Sequence, residues 1–229
     1  MSVLNKESIV ALMELDDYQE KLVVTPLLSE SQIGPASIDI RLGSSIVIPR
    51  RTFVGSHDVT DAKQARQVEK RIYDRCRLKY HSEFVLHPNQ LILGTTLEYV
   101  SLPLKVFSQV ASRSSWGRLG LVVATASIVQ PGFKGCLTLE LANLSDSPIT
   151  LYPGLLVGQL VFYDVKMAQV NVTPYKGRYV CPTEAGLPQF FARNLDSDMA
   201  FWGGRAGSGM KSGAVGLRCA RMSGCAARA

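Results

Sequence analysis

The chain has 229 residues, 46% hydrophobic and 19% charged, with a formal net charge of +6. That is long enough for one domain with a sizeable core, and its composition is ordinary for a soluble globular protein. The N-terminus turns polar at once, and the apolar run 151–165 is broken by Pro153, Gly154 and Gly158, so neither a signal peptide nor a membrane span is expected.

In chain order, the first expected element is a short helix, with Asn5 as its cap, Glu7 in its first turn, and Ile9, Leu12 and Met13 at helical spacing. Residues 35–43 then alternate Ile38, Ile40 and Leu42 with Ser37, Asp39 and Arg41, the period of a half-buried strand, and 45–48 extend or pair with it. A second helix is predicted over 60–73, with a stripe of Ala62, Ala65, Val68 and Ile72. From Phe84 the chain reads as short strands: 84–86, 90–94, 97–101, 106–111, 120–129, 136–142, 149–152 and 155–165. Such spacing predicts a sandwich, jelly roll or barrel rather than alternating strands and helices. A Pro131-Gly132 turn is expected to fold the 120–129 strand back on 136–140 as a hairpin.

The tail does not look folded. Residues 201–229 carry five basic residues (Arg205, Lys211, Arg218, Arg221, Arg228) and no acidic one; removing these five from +6 leaves +1 for the rest. The basic balance therefore belongs to a Gly-rich end and does not argue for nucleic-acid binding. Cys76, Cys136, Cys181, Cys219 and Cys225 make an odd count without CxxC spacing, against a disulfide framework or a structural zinc site.

Two stretches could carry chemistry. Arg113, Ser114, Ser115 and Arg118 place two guanidinium groups and two hydroxyls in six residues, donors suited to phosphate oxygens; Trp116 and Gly117 lie between them. Alone, they equally fit a polar turn. In Leu137-Thr138-Leu139-Glu140-Leu141 the leucines point one way, so Thr138 and Glu140 share the other face. On the pattern alone, a solvent-facing glutamate is the commoner case. His81-Ser82-Glu83 fits the first half of a zinc-deaminase signature, but no P-C-x-x-C follows, so no catalytic zinc is expected. A serine hydrolase is a poor fit, given the lack of G-x-S-x-G and of any histidine after His87.

Taken together, PASIDIRLG (35–43), FVLHPNQLILGTTLEYVSLP (84–103), SRSSWGRLGL (112–121), QPGFKGCLTLELAN (130–143), YPGLLVGQLVFY (152–163) and YKGRY (175–179) resemble the dCTP deaminase branch of the trimeric dUTPase-like family. The resemblance covers most of 1–190 and implies one domain there, with 191–229 as an arm and tail. It implies a mainly β fold, a distorted jelly roll or β-barrel of the dUTPase-like type with a short N-terminal helix and one further helix. It also implies a cytoplasmic homotrimer with active sites between subunits, and zinc-independent deamination of dCTP to dUTP and ammonia with Mg2+ bound alongside the triphosphate. In this reading Glu140 matches the catalytic glutamate that moves protons between the attacking water and the leaving amine. Arg113, Ser114, Ser115, Trp116, Gly117 and Arg118 match the triphosphate loop, with Ser114 and Arg118 nearest the chemistry. The carbonyl of Ala126 matches the acceptor for the cytosine amino group, and Thr138 and Leu139 line the base-and-sugar pocket. Gln130, Gln159, Tyr175 and Arg178 match further nucleotide-contacting positions, and dTTP becomes a candidate feedback inhibitor.

This chain departs from the family pattern in several places. Gln130 stands where an aspartate usually precedes Pro-Gly, and in related dUTPases that aspartate activates water for dUTP hydrolysis. Ser127 replaces a histidine, Arg178 a lysine and Pro182 a glutamine, and one residue is missing between Gly120 and Thr125. Release of dUTP is thus the expected outcome. The alternatives are a bifunctional enzyme forming dUMP and a non-catalytic nucleotide-binding trimer, the latter disfavoured by Glu140 and both arginines.

Overall fold

The computed structural model describes residues 2–50, 72–125, 127–165 and 181–187. The predicted helix over 60–73 lies outside them except at its end, where Tyr73 already begins a strand; the tail expected over 191–229 lies outside them altogether.

Helix α1 (Lys6–Glu14) starts where expected: the Asn5 side chain accepts a hydrogen bond from the Ser8 amide at 3.0 Å, and Ile9 is fully buried. The strands are β1 (Val23–Thr25), β2 (Ser37–Pro49), β3 (Tyr73–Arg77), β4 (Phe84–Leu86), β5 (Leu91–Ser101), β6 (Val106–Ser112), β7 (Leu121–Val123), β8 (Ile128–Val129), β9 (Lys134–Asn143), β10 (Ile149–Leu151) and β11 (Leu156–Asp164). A second helix, α2 (Ser114–Leu119), follows β6, and a single 3-10 turn (Glu30–Gln32) precedes β2.

Nine strands form one antiparallel sheet in the order β7-β9-β5-β2-β11-β6-β8, with β1 added on β5 and β3 on β2; β4 and β10 form a separate pair. The hub is β2. Its first half pairs with β11 (Asp39 opposite Gln159), and its second half lies between β3 and β5 (Val47 opposite Arg75 on one edge and Leu93 on the other). Changing partners along one strand curls the sheet around Ile38, Ile40, Leu42 and Ile46, all fully buried. The switch falls at a register shift between Leu42 and Ile46, beside Gly43. A Cβ there would lie 2.6 Å from the Thr95 hydroxyl and 2.8 Å from the Thr96 carbonyl, so only glycine lets the strands approach this closely.

One charge is buried in this frame. Glu98 of β5 is fully buried, accepting from the Arg41 amide at 2.8 Å and from Gln32 Nε2 at 2.9 Å, with the Arg41 guanidinium 3.6 Å away. Burial nonetheless pushes its carboxyl above the ordinary range, outweighing these anion-stabilising contacts.

The mainly β, curled architecture matches the sequence expectation, with three corrections. The run 120–129 is two strands: β7 pairs with β9, and β8 pairs with β6. Among the described residues no hairpin therefore joins β8 to β9, because the two halves of the run bond to different strands. Finally, the polar loop after Arg113 is a helix.

Candidate active site

Strand β9 is the spine of the site. Leu137, Leu139 and Leu141 point into the core, leaving Cys136, Thr138 and Glu140 on the opposite face as the alternation predicts. Glu140 sits opposite Leu93 of β5. Its carbonyl accepts from the Ala124 amide at 2.8 Å, and its amide donates to the Thr125 hydroxyl at 3.1 Å. The residue is half-buried rather than solvent-facing, and its Oε2 is buried with no hydrogen-bond partner. A buried carboxylate oxygen without a partner is costly and unusual in a merely structural position.

The chain at 181–187 lies along the same face. Cys136 donates its amide to the Pro182 carbonyl at 2.7 Å, and the Gly186 amide donates to the Thr138 hydroxyl at 3.0 Å. Gly135 makes this approach possible: its φ is +142°, and a Cβ would come within 2.4 Å of the Pro182 ring. Ala185 is buried against Val47 and Leu93, the latter being the cross-strand partner of Glu140. Outside this contact Glu184 pairs with Arg77 at 2.9 Å and Arg75 at 3.8 Å, exposed ion pairs that contribute little. Docking by 181–187 was not legible from sequence, since Pro182 stood out there only as a lost side-chain donor.

Helix α2 forms because Arg113 is extended at its N-cap and Gly120, at φ +94°, closes it in the left-handed conformation, its amide donating to the Gly117 carbonyl at 3.1 Å. Six residues containing Gly117 show no apolar stripe, which is why they read as a loop. The legible signal was Arg118 in the last turn followed by glycine. Trp116 anchors the helix: its ring packs on the core and its indole N–H donates to the Leu156 carbonyl at 2.7 Å. Ser114, Ser115, Gly117 and Arg118 are left exposed.

The expected site residues thus fall into two groups. Thr138 and Glu140 share one face of β9, with Leu139 between them pointing into the core. Arg113 is half-buried with its guanidinium 3.5 Å from Asp39, which lies opposite Gln159; Gln159 in turn accepts from the Ser37 hydroxyl at 3.3 Å. The end of α2 is offset from Glu140 along the chain's own sheet. Gly120 accepts from the Leu144 amide at 2.9 Å, and Leu144 is four residue steps beyond Glu140, just past the end of β9, roughly 13 Å at strand rise. Gln130 is exposed in the Pro131-Gly132 turn, its carbonyl taking the Phe133 amide at 3.1 Å. Ala126, Tyr175 and Arg178 lie outside the described residues. Among the described residues no three His, Cys, Asp or Glu side chains converge as a metal cage, and none of the described helices is long and apolar enough to cross a membrane.

Residues 3–165 match the family described as dCTP deaminase-like. A dCTP deaminase from Halorubrum lacusprofundi is 42% identical over 147 residues, 63% of this chain and 70% of the relative. A Methanobrevibacter smithii protein named dCTP deaminase, dUMP-forming, is 36% identical over 166 residues, 71% of this chain and 80% of that protein. A crystal structure of 2'-deoxycytidine 5'-triphosphate deaminase from Agrobacterium tumefaciens shares the fold with a TM-score of 0.52 at 24% identity, over 70% of this chain. The chain spans about half of that protein's length, 47%. With a family match running from before α1 to the end of β11, and relatives sharing over a third of their aligned residues, the chain belongs to the dCTP deaminase-like family.

Proposed function

We propose that this protein deaminates dCTP hydrolytically. The observation that carries the reading is the buried, unpartnered Oε2 of Glu140 on the face of β9 that turns away from the core. Water attacks C4 of cytosine while the Glu140 carboxylate takes its proton. The carboxylic acid so formed then protonates the C4 amine, the C–N bond breaks, and ammonia leaves with dUTP as the other product. General acid–base work of this kind is typically worth about 10²–10⁴-fold.

Thr138 and the main chain of Leu139 border the base and sugar, and the Ala126 carbonyl accepts from the amino group that is to leave. The triphosphate is taken by the exposed Ser114, Ser115, Gly117 and Arg118 together with Arg113, beside Trp116, and by Gln159, Tyr175 and Arg178. Because α2 ends roughly 13 Å from Glu140 along β9, these donors are best supplied to each Glu140 by a neighbouring copy. A closed symmetric trimer satisfies every site in that way. Mg2+ would arrive with the triphosphate, since it prefers phosphate oxygens and water to an all-protein cage. When bound it would neutralise phosphate charge. dTTP, a triphosphate of the same shape, is the candidate feedback ligand.

Formation of dUMP is the second reading, favoured by relatives named dUMP-forming at 36% and 37% identity. Gln130 weighs against it, because a neutral amide cannot take the proton of a water attacking phosphorus. Chromatography of the products from dCTP and from dUTP, run side by side with Mg2+, decides between them. Ammonia and dUTP are expected from dCTP, with dUTP left intact; dUMP and pyrophosphate would overturn the ordering, and no ammonia would end the deaminase reading. Gln130→Asp is expected to gain dUMP formation.

A further inference from the structure

At Glu140 the ladder between β7 and β9 ends in an unusual way. Antiparallel partners exchange two main-chain hydrogen bonds at every second pair. Val123 lies opposite Leu141, so Ala124 comes opposite Glu140. The first bond of that pair is made, from the Ala124 amide to the Glu140 carbonyl at 2.8 Å. The reciprocal donor, the Glu140 amide, goes instead to the side-chain hydroxyl of the next residue, Thr125, at 3.1 Å. Just beyond, the carbonyl of Ser127 accepts from the Val110 amide at 2.7 Å, so the chain has already crossed to β6. The Thr125 hydroxyl thus replaces a main-chain carbonyl at the point where the chain leaves β9, and satisfies the amide of the residue that carries the unpartnered carboxylate.

We propose that Thr125 is a positioning residue for the deamination, holding the Glu140 main chain against Ala124 and Thr125 and so fixing where the carboxylate meets the attacking water. This rests on Glu140 as the proton shuttle. The direction of a side chain is set at its Cα, and nothing else among the described residues accepts from this amide. Without the acceptor, the Glu140 amide loses its partner at the one residue whose aim matters, while β9 keeps its pairing with β5. Misplacement of a reacting group by about 1 Å can cost on the order of 10²-fold in rate.

The test uses the full-length chain and four variants. Thr125→Val keeps the β-branched shape without the acceptor, Thr125→Ala removes the acceptor by a second route, Thr125→Ser keeps it, and Glu140→Gln controls the underlying reading. Ammonia release from dCTP gives kcat, calorimetry gives dCTP affinity, and thermal unfolding reports folding. The valine and alanine variants are expected to lose about 10- to 100-fold in kcat with dCTP affinity retained, and serine to restore turnover. A purely structural role would lower stability and affinity together and leave the kcat of the folded protein unchanged. Wild-type turnover in Thr125→Val beside an inactive Glu140→Gln overturns the positioning role alone. Equal losses in serine, alanine and valine overturn it too, because the hydroxyl is then not the agent. An active Glu140→Gln overturns the shuttle itself.

Discussion

Glu140→Leu is expected to make the protein more stable and inactive at once. Oε2 of Glu140 is buried without a partner, and leaving such an atom unsatisfied costs about 1–3 kcal/mol, more when it is charged. A leucine in its place would pack against Leu93, the residue directly opposite on β5 and itself 6% exposed. Both main-chain hydrogen bonds of residue 140, from Ala124 and to Thr125, survive the change. Removing the penalty should therefore raise stability by about 1–3 kcal/mol, and at ~2–4 °C per kcal/mol for a protein of this size the Tm should rise by about 2–12 °C. Scanning calorimetry at neutral pH and ammonia release from dCTP, measured on one preparation, give the two quantities. Glu140→Gln, polar but neutral, should lower turnover by about 10²-fold or more. A lower Tm in the leucine variant would refute the reasoning, because it would mean that the carboxylate has a structural partner. Normal turnover in either variant would remove Glu140 from the chemistry.

Further outcomes concern the frame. The folded-state carboxyl of Glu98 is raised by burial, so its contribution to stability is fullest below the ordinary value of 4.5 and is lost as pH rises through the elevated one. Urea unfolding of the wild type should show that decline on the alkaline side of 4.5, and Glu98→Gln should lack it; equal slopes in both proteins would count against the buried charge. Gly120→Ala places a Cβ 2.6 Å from that of Ser145 at a φ of +94°, and a cost of about 2–5 kcal/mol is expected from strain and overpacking, read as a lower urea midpoint. A change indistinguishable from wild type would show that the end of α2 yields easily.

The readable parts of this chain were those governed by local period. The alternation of β9 placed Thr138 and Glu140 together on one face, and Asn5 announced α1, because both signals lie within a few consecutive residues. The parts that escaped depend on partners far along the chain. Leu119 to Val129 is mostly apolar, and nothing in that run tells that its two halves bond to different strands, β9 and β6. Glu98 sits among apolar and hydroxyl side chains as though on a surface face, whereas it is buried because Gln32 and Arg41 reach it from 66 and 57 residues away. Helix α2 escaped for another reason: closure by Gly120 and the Trp116 anchor, not an apolar stripe, hold it in place. The side-chain hydroxyl of Thr125 standing in for a carbonyl follows from no pattern of residue types at all.

The partner exchange along β2 also bears on how the chain reaches this structure during synthesis. The strand leaves the ribosome early, yet its first half finds its partner only when β11 emerges, with Ser37 and Gln159 separated by 122 residues. Until then Ile38, Ile40 and Leu42 sit on a strand with open hydrogen-bonding groups, the kind of edge that pairs with other chains. Productive folding is therefore a late event, slow for a chain of this length because its pairings are non-local. A nascent chain stalled before Leu156 is the species most in need of a chaperone.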